Sequence, residues 1–129
     1  MKSKLKESNK RPVILIHGLW NSAAIFQSLI NKLEKHNIEY FAPSLEHDYG
    51  KTSIIELSKN LNKLILEKYG LEREVDILGF SMGGIIGRYW LNKYNENNRV
   101  KRFISIGSPH NGTLTAQIVP SFFLKVYQR

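Results

Sequence analysis

The stretch "DILGFSMGGIIGRYW", residues 76–90, constrains this chain more than any other. An apolar run leads through glycines on either side of Ser81 straight into a second, longer apolar run. Gly79-Phe80-Ser81-Met82-Gly83 fits the pattern G-x-S-x-G. A serine on a sharp strand-to-helix turn must adopt a strained backbone, and the residues two positions to either side then come close together. Glycine at those two places avoids the clash of a Cβ. The turn lifts the hydroxyl above the sheet and sets it at a helix N-terminus, where free N–H groups and the dipole favour developing negative charge. Two readings stay open from these residues alone: Ser81 is an activated nucleophile, or it is a small residue in a tight β–α turn. A phosphate cradle is not the expectation, because no G-x-G-x-x-G follows the first strand and no glycine-rich loop ends in Lys-Ser or Lys-Thr.

The rest of the chain repeats the same alternation. "PVILIHG" (12–18) reads as a buried strand, "IEYFAP" (38–43) as a short second strand, "EVDILGF" (74–80) as a third and "VKRFISIGSP" as a fourth that ends at Gly107. Between them lie helical spacings. "NSAAIFQSLINKLEKH" aligns Ile25, Phe26, Leu29, Ile30 and Leu33, with Asn21 or Ser22 as N-cap. "SIIELSKNLNKLILEKYG" aligns Ile54, Leu57, Leu61, Leu64 and Ile65, with Gly70 as C-cap. "MGGIIGRYWLNKYN" carries Gly84 and Gly87 on a small-residue face. The expected fold is α/β, a mostly parallel sheet with helices on both faces. Ligands of such sheets sit beyond the carboxyl ends of the strands. His17-Gly18, Ser81 and Ser108-Pro109-His110 all fall there.

Three stretches, "VILIHGLWNSAAIF", "GFSMGG" and "GSPHNGT", make the chain resemble the α/β-hydrolase superfamily, within it the bacterial lipase and esterase branch. The resemblance spans roughly residues 12 to 115. It implies Ser81 as nucleophile, the backbone N–H groups of Met82 and Leu19 as oxyanion donors, and His17, Gly18, Gly79 and Gly83 as structural residues around the site. It implies cleavage of carboxylic esters through an acyl-enzyme. Acyl transfer or amide hydrolysis on the same fold, and a non-catalytic interaction module, are the alternatives.

A serine needs a base, and the base an orienting acid. In this fold both follow the serine in sequence. Downstream of Ser81 stand only Glu96 and His110. The helix carries Glu96 about 20 Å from the turn. His110 is the candidate base, against a structural role in which Asn111 and Thr113 fix its turn. His47 and Asp48, in the loop after the second strand, are a conceivable His–Asp pair. Asp76 sits at the far end of its strand, and His36 closes the first helix. The later strands, which carry acid and base in the resembled superfamily, have no counterpart. The expectation is therefore an N-terminal portion of a hydrolase domain, with an unpaired edge on the fourth strand, a tendency to self-associate and poor catalysis.

Composition adds exclusions. The formal net charge is +8, and half the excess lies in "MKSKLKESNKR", read as a basic disordered tail over 1–11 ahead of a domain over 12–129. Weak contact with an anionic membrane surface is its sharper reading. No element or interleaved aromatics suited to nucleic acid accompany the charge. Cysteine is absent, and no apolar run follows the leader's charges, so the chain is expected in the cytoplasm. No His/Asp/Glu set has ligand spacing, so no metal or cofactor is expected. The expected partner is a small-molecule or lipid ester. Trp20, Ile118, Phe122 and Phe123 line an acyl pocket or a lid, or are simply core.

Overall fold

The computed structural model describes residues 11–18, 23–48, 50–95 and 97–108. Four strands form one sheet: β1 (Val13–Ile16), β2 (Tyr40–Phe41), β3 (Val75–Phe80) and β4 (Val100–Ile106). The order is β2-β1-β3-β4, and every neighbouring pair is parallel. Register pairs Ile16 with Gly79 and Gly79 with Ser105, so the turn after β3 leaves from the sheet's interior. Three α-helices connect the strands: α1 (Gln27–Lys35), α2 (Ile54–Tyr69) and α3 (Met82–Tyr94).

Strand alternation divides the core in two. Leu15 of β1 points to the side where Phe26 and Ile30 pack, with Leu78 and Phe80 of β3 against them. Ile14, Ile16 and Ile77 point to the other side, into the face of α2 and α3. The α2 spacing is borne out directly. Ile54, Leu57, Leu61 and Ile65 are fully buried, each worth about 1.5–3 kcal/mol relative to exposure. Ser58 shares that stripe; its hydroxyl donates to the Ile86 carbonyl of α3 at 3.2 Å. Ser53 caps α2 by accepting from the Glu56 N–H at 3.1 Å, and Gly70 closes it.

The first helix starts later than its periodicity suggests. A 3₁₀ turn over Ala23–Phe26 precedes α1, and Phe26 takes the cap position without a side-chain bond. The proposed caps Asn21 and Ser22 lie outside the described residues. Asp76 stands at the amino end of β3, away from the serine turn, and pairs with Arg11 at 2.9 Å. β4 lies at the sheet's edge, with Ile104 and Ile106 about half exposed. Among the described residues, no helix is long and apolar enough to cross a membrane.

The strand order reverses at β1. From β1 the chain crosses to β2 on one side, and from β2 it returns to β3 on the other. The segments leaving β1 and β3 therefore diverge to opposite faces, the switch point at which sheets of this kind place their ligand crevice. His17 and Ser81 stand at that point.

Candidate active site

Ser81 has φ 56° and ψ −125°, a conformation sparsely populated by non-glycine residues. Such a residue costs about 1–3 kcal/mol and persists only where its surroundings fix it. Here they do. The Ser81 N–H donates to the Ile106 carbonyl at 2.8 Å, and the Ser81 carbonyl accepts from the Gly84 N–H at 3.0 Å. Ser81 holds the N-cap position of α3, yet its side chain makes no capping bond. The hydroxyl is therefore not spent on the helix. The Met82 side chain is buried, while its backbone opens the first turn of α3, where N–H groups lack an intrahelical acceptor.

The glycine spacing has the cause the sequence suggests. A Cβ on Gly79 would stand 2.5 Å from both the Cα and the N of Gly84. A Cβ on Gly83 would overlap the Ile16 carbonyl oxygen. The turn thus folds back upon β3 on one side and presses against the end of β1 on the other. Ser108, just past β4, packs its hydroxyl where a side chain on Gly84 would stand.

On the β1 side, His17 is buried at 1% exposure, and both its ring nitrogens are engaged. Nδ1 donates to the Gly18 carbonyl at 2.9 Å, and Nε2 accepts from the Leu45 N–H at 2.8 Å. This pattern fixes one neutral tautomer. A ring so held is a brace between β1 and the loop after β2, as the resemblance implies, and not a base for Ser81.

His47 does not form the conceivable pair with Asp48. It is buried beside His17, with its Nε2 3.3 Å from His17 Nδ1 and the rings edge to face. Burial, then the neighbouring His17, pushes its pKa down to about 4. Asp48 is exposed and turned into the left-handed region at φ 48°, where it shapes the loop. Asp48 stays outside because a tight turn follows: the N–H groups of Gly50 and Thr52 both donate to the His47 carbonyl at 3.1 Å. The sequence contains no pattern linking His17 to His47, thirty positions away; only the apposition of the two loops joins them. His36 closes α1 at the end far from Ser81.

Leu19, Glu96, His110, Asn111 and Thr113 lie outside the described residues, as do Trp20, Ile118, Phe122 and Phe123. Among the described residues, no group of three or more His, Asp or Glu side chains is placed to hold a metal ion.

A monoacylglycerol lipase from Paleococcus ferrophilus superposes with a TM-score of 0.68 at 20% identity, over 89% of this chain and 44% of that one. An extracellular α/β-hydrolase from a Paenibacillus species superposes with a TM-score of 0.66 at 20% identity, over 76% of this chain and 40% of that one, so the fold is that of the α/β-hydrolases. In sequence, the lysosomal thioesterase PPT2 homolog of Drosophila melanogaster is 28% identical over 106 residues, 79% of this chain and 36% of that protein. Lysosomal thioesterase PPT2 of Rattus norvegicus is 29% identical over 108 residues, 79% of this chain and 35% of that protein. The chain spans about a third of the length of these curated relatives. They correct the cytoplasmic expectation, since both are designated lysosomal. That expectation leaned on missing cysteines and a missing apolar leader, negative features that a stretch covering a third of its relatives cannot turn into an address. The serine turn, the braced histidine and the parallel sheet all lie within residues 12–128, the span that matches palmitoyl protein thioesterases, and the chain belongs to that family.

Proposed function

We propose that this chain carries the nucleophile half of a hydrolase acting on acyl thioesters or esters with lipid-like acyl groups. The observation that carries the reading is the strained Ser81 turn at the switch point between β1 and β3, with the hydroxyl uncommitted to capping. Ser81 Oγ attacks the acyl carbon, and the base takes its proton. Met82 and Leu19 donate backbone N–H groups to the oxyanion, each worth about 2.7–4 kcal/mol on the scale of such donors. The C–S or C–O bond breaks, and the departing group takes up the proton. Water then cleaves the acyl-enzyme and frees the carboxylic acid. His17 and His47 are braced in the fold, so base and acid are drawn from outside the described residues, with His110 as one candidate. The family supports the acyl-thioester class; the lipase with the same fold supports the oxyester class.

The test is covalent labelling with a fluorophosphonate probe, repeated on Ser81→Ala, followed by turnover of a palmitoyl thioester and a matched oxyester. Labelling that disappears in Ser81→Ala supports the reading. A folded protein that takes no label excludes an activated serine.

A further inference from the structure

Parallel sheets normally carry cover on both faces. Here α2 and α3 cover one of them. On the other, the cover among the described residues is α1 and the turn before it, packed over Leu15 of β1. Register sets the side chains of that face in rows. Leu15, Leu78 and Ile104 lie side by side across β1, β3 and β4, and Phe80 lies beside Ile106. One row closer to the amino ends of the strands, Val13, Asp76 and Arg102 lie together, and this row carries charge. Ile104 and Ile106 remain about half exposed.

Between α1 and β4 these rows border a groove of about 450 Å³. Leu29 and Leu33 line it from α1, and Leu78 and Ile104 from the sheet. Its volume lies in the range of small-molecule sites. An α-helix, about 10 Å across, would lie over such a space rather than enter it. The end of the groove at the amino ends of the strands is polar. There Arg11 Nε donates to Asp76 Oδ1 at 2.9 Å, and the exposed Arg102 stands beside Asp76 in the neighbouring strand. Among the described lining residues, two guanidinium groups accompany one carboxylate, which leaves an excess of positive charge at one end of an apolar trough. Guanidinium groups take carboxylates through paired N–H bonds. The complementary ligand is an alkyl chain that ends in an anion.

We propose that this groove binds a fatty acid, its alkyl chain lying along Leu29, Leu33, Leu78 and Ile104 and its carboxylate against Arg102. Ile106, next on the same side of β4, prolongs the apolar strip for longer chains. The charged end lies at the opposite end of the strands from Ser81. The site rests on the groove and not on the chemistry proposed for that serine.

Isothermal titration calorimetry of the purified protein with octanoate, decanoate and laurate, each below its micelle concentration, tests this. One equivalent binds, and affinity rises about two- to fourfold with each added methylene. Decanol has the chain without the charge, and decyltrimethylammonium has the opposite charge. Both bind about three- to fivefold more weakly than decanoate, the scale of an exposed ion pair. Arg102→Glu reverses the charge at the end of the groove and weakens decanoate about tenfold. Ile104→Gln removes part of the apolar wall and flattens the dependence on chain length. Both side chains are exposed, so neither replacement empties the core. The absence of saturable binding, binding of several equivalents, equal binding of decanol, or decanoate binding indifferent to both variants overturns the proposal. So does a dimer that Ile104→Gln splits and decanoate does not, since the groove then belongs to a second copy of the chain.

Discussion

Acidification should weaken this fold through His47 by a predictable amount. The ring is 6% exposed and sits against a His17 that is itself locked by two backbone bonds. Among the described residues its Nδ1 has no partner. Charging His47 would place a cation where no described group pairs with it. Its pKa falls from 6.5 in an unfolded chain to about 4 in the fold. Between those values the unfolded chain binds more protons than the folded one, so stability drops as pH falls, and the loss levels off below about pH 4. At about 1.4 kcal/mol per pH unit, the full loss is at most ~3.5 kcal/mol, and ~2.5 kcal/mol of it is reached by about pH 4.5. Water entering the loop reduces it. The assay is urea unfolding from about pH 7.5 to about pH 4.5, on the parent protein and on His47→Gln. Glutamine offers His17 an acceptor but does not titrate. Carboxylates titrate alike in both proteins, so the difference between the two curves isolates His47. The parent loses about 2 kcal/mol more than the variant over that range. Parallel curves would refute the argument, since a histidine that charges equally well in both states contributes no slope.

Two further outcomes concern the serine turn. Ser81→Gly relieves the strained backbone whereas Ser81→Ala keeps it, so the glycine variant should be the more stable of the two by about 1 kcal/mol in urea unfolding, with both lacking activity. Equal stabilities would mean that φ 56° carries no strain here. Gly83→Ala drives a methyl into the Ile16 carbonyl and forces α3 away from β1, which should cost about 3 kcal/mol, the upper end for overpacking. A loss under about 0.5 kcal/mol would show that the two elements separate freely.

What the sequence made legible were features whose cause is local. Ile54, Leu57, Leu61 and Ile65 repeat at helical spacing because one side of α2 must be buried, and that rule acts within a few residues. Gly79 was readable for a related reason, since a strand that turns straight into a helix brings its own chain back upon itself, whereas the contact that demands Gly83 comes from the end of β1. The N-cap of α2 is equally open to view, since Ser53 and Glu56 stand at the spacing of a capping box. The 3₁₀ turn ahead of α1 had no such mark, because Phe26 is placed by packing on Leu15.

The histidines and Arg99 mark the other limit. His17, His47 and Leu45 meet only because β1 and β2 are neighbours in a parallel sheet, and a His–Asp neighbour in sequence proved a poor guide to a partner in space. Arg99 reads as a polar residue ahead of a strand, yet it is buried against the end of α2, where its Nη1 donates to the Gly70 carbonyl. Both sites consist of polar groups buried by elements far away in sequence, where pattern gives way to topology. The serine turn differs in that its strain is generated and held within β3, α3 and the two adjoining strands. The turn therefore stands as a unit of its own, and the chemistry proposed for Ser81 depends on how the neighbouring loops meet it.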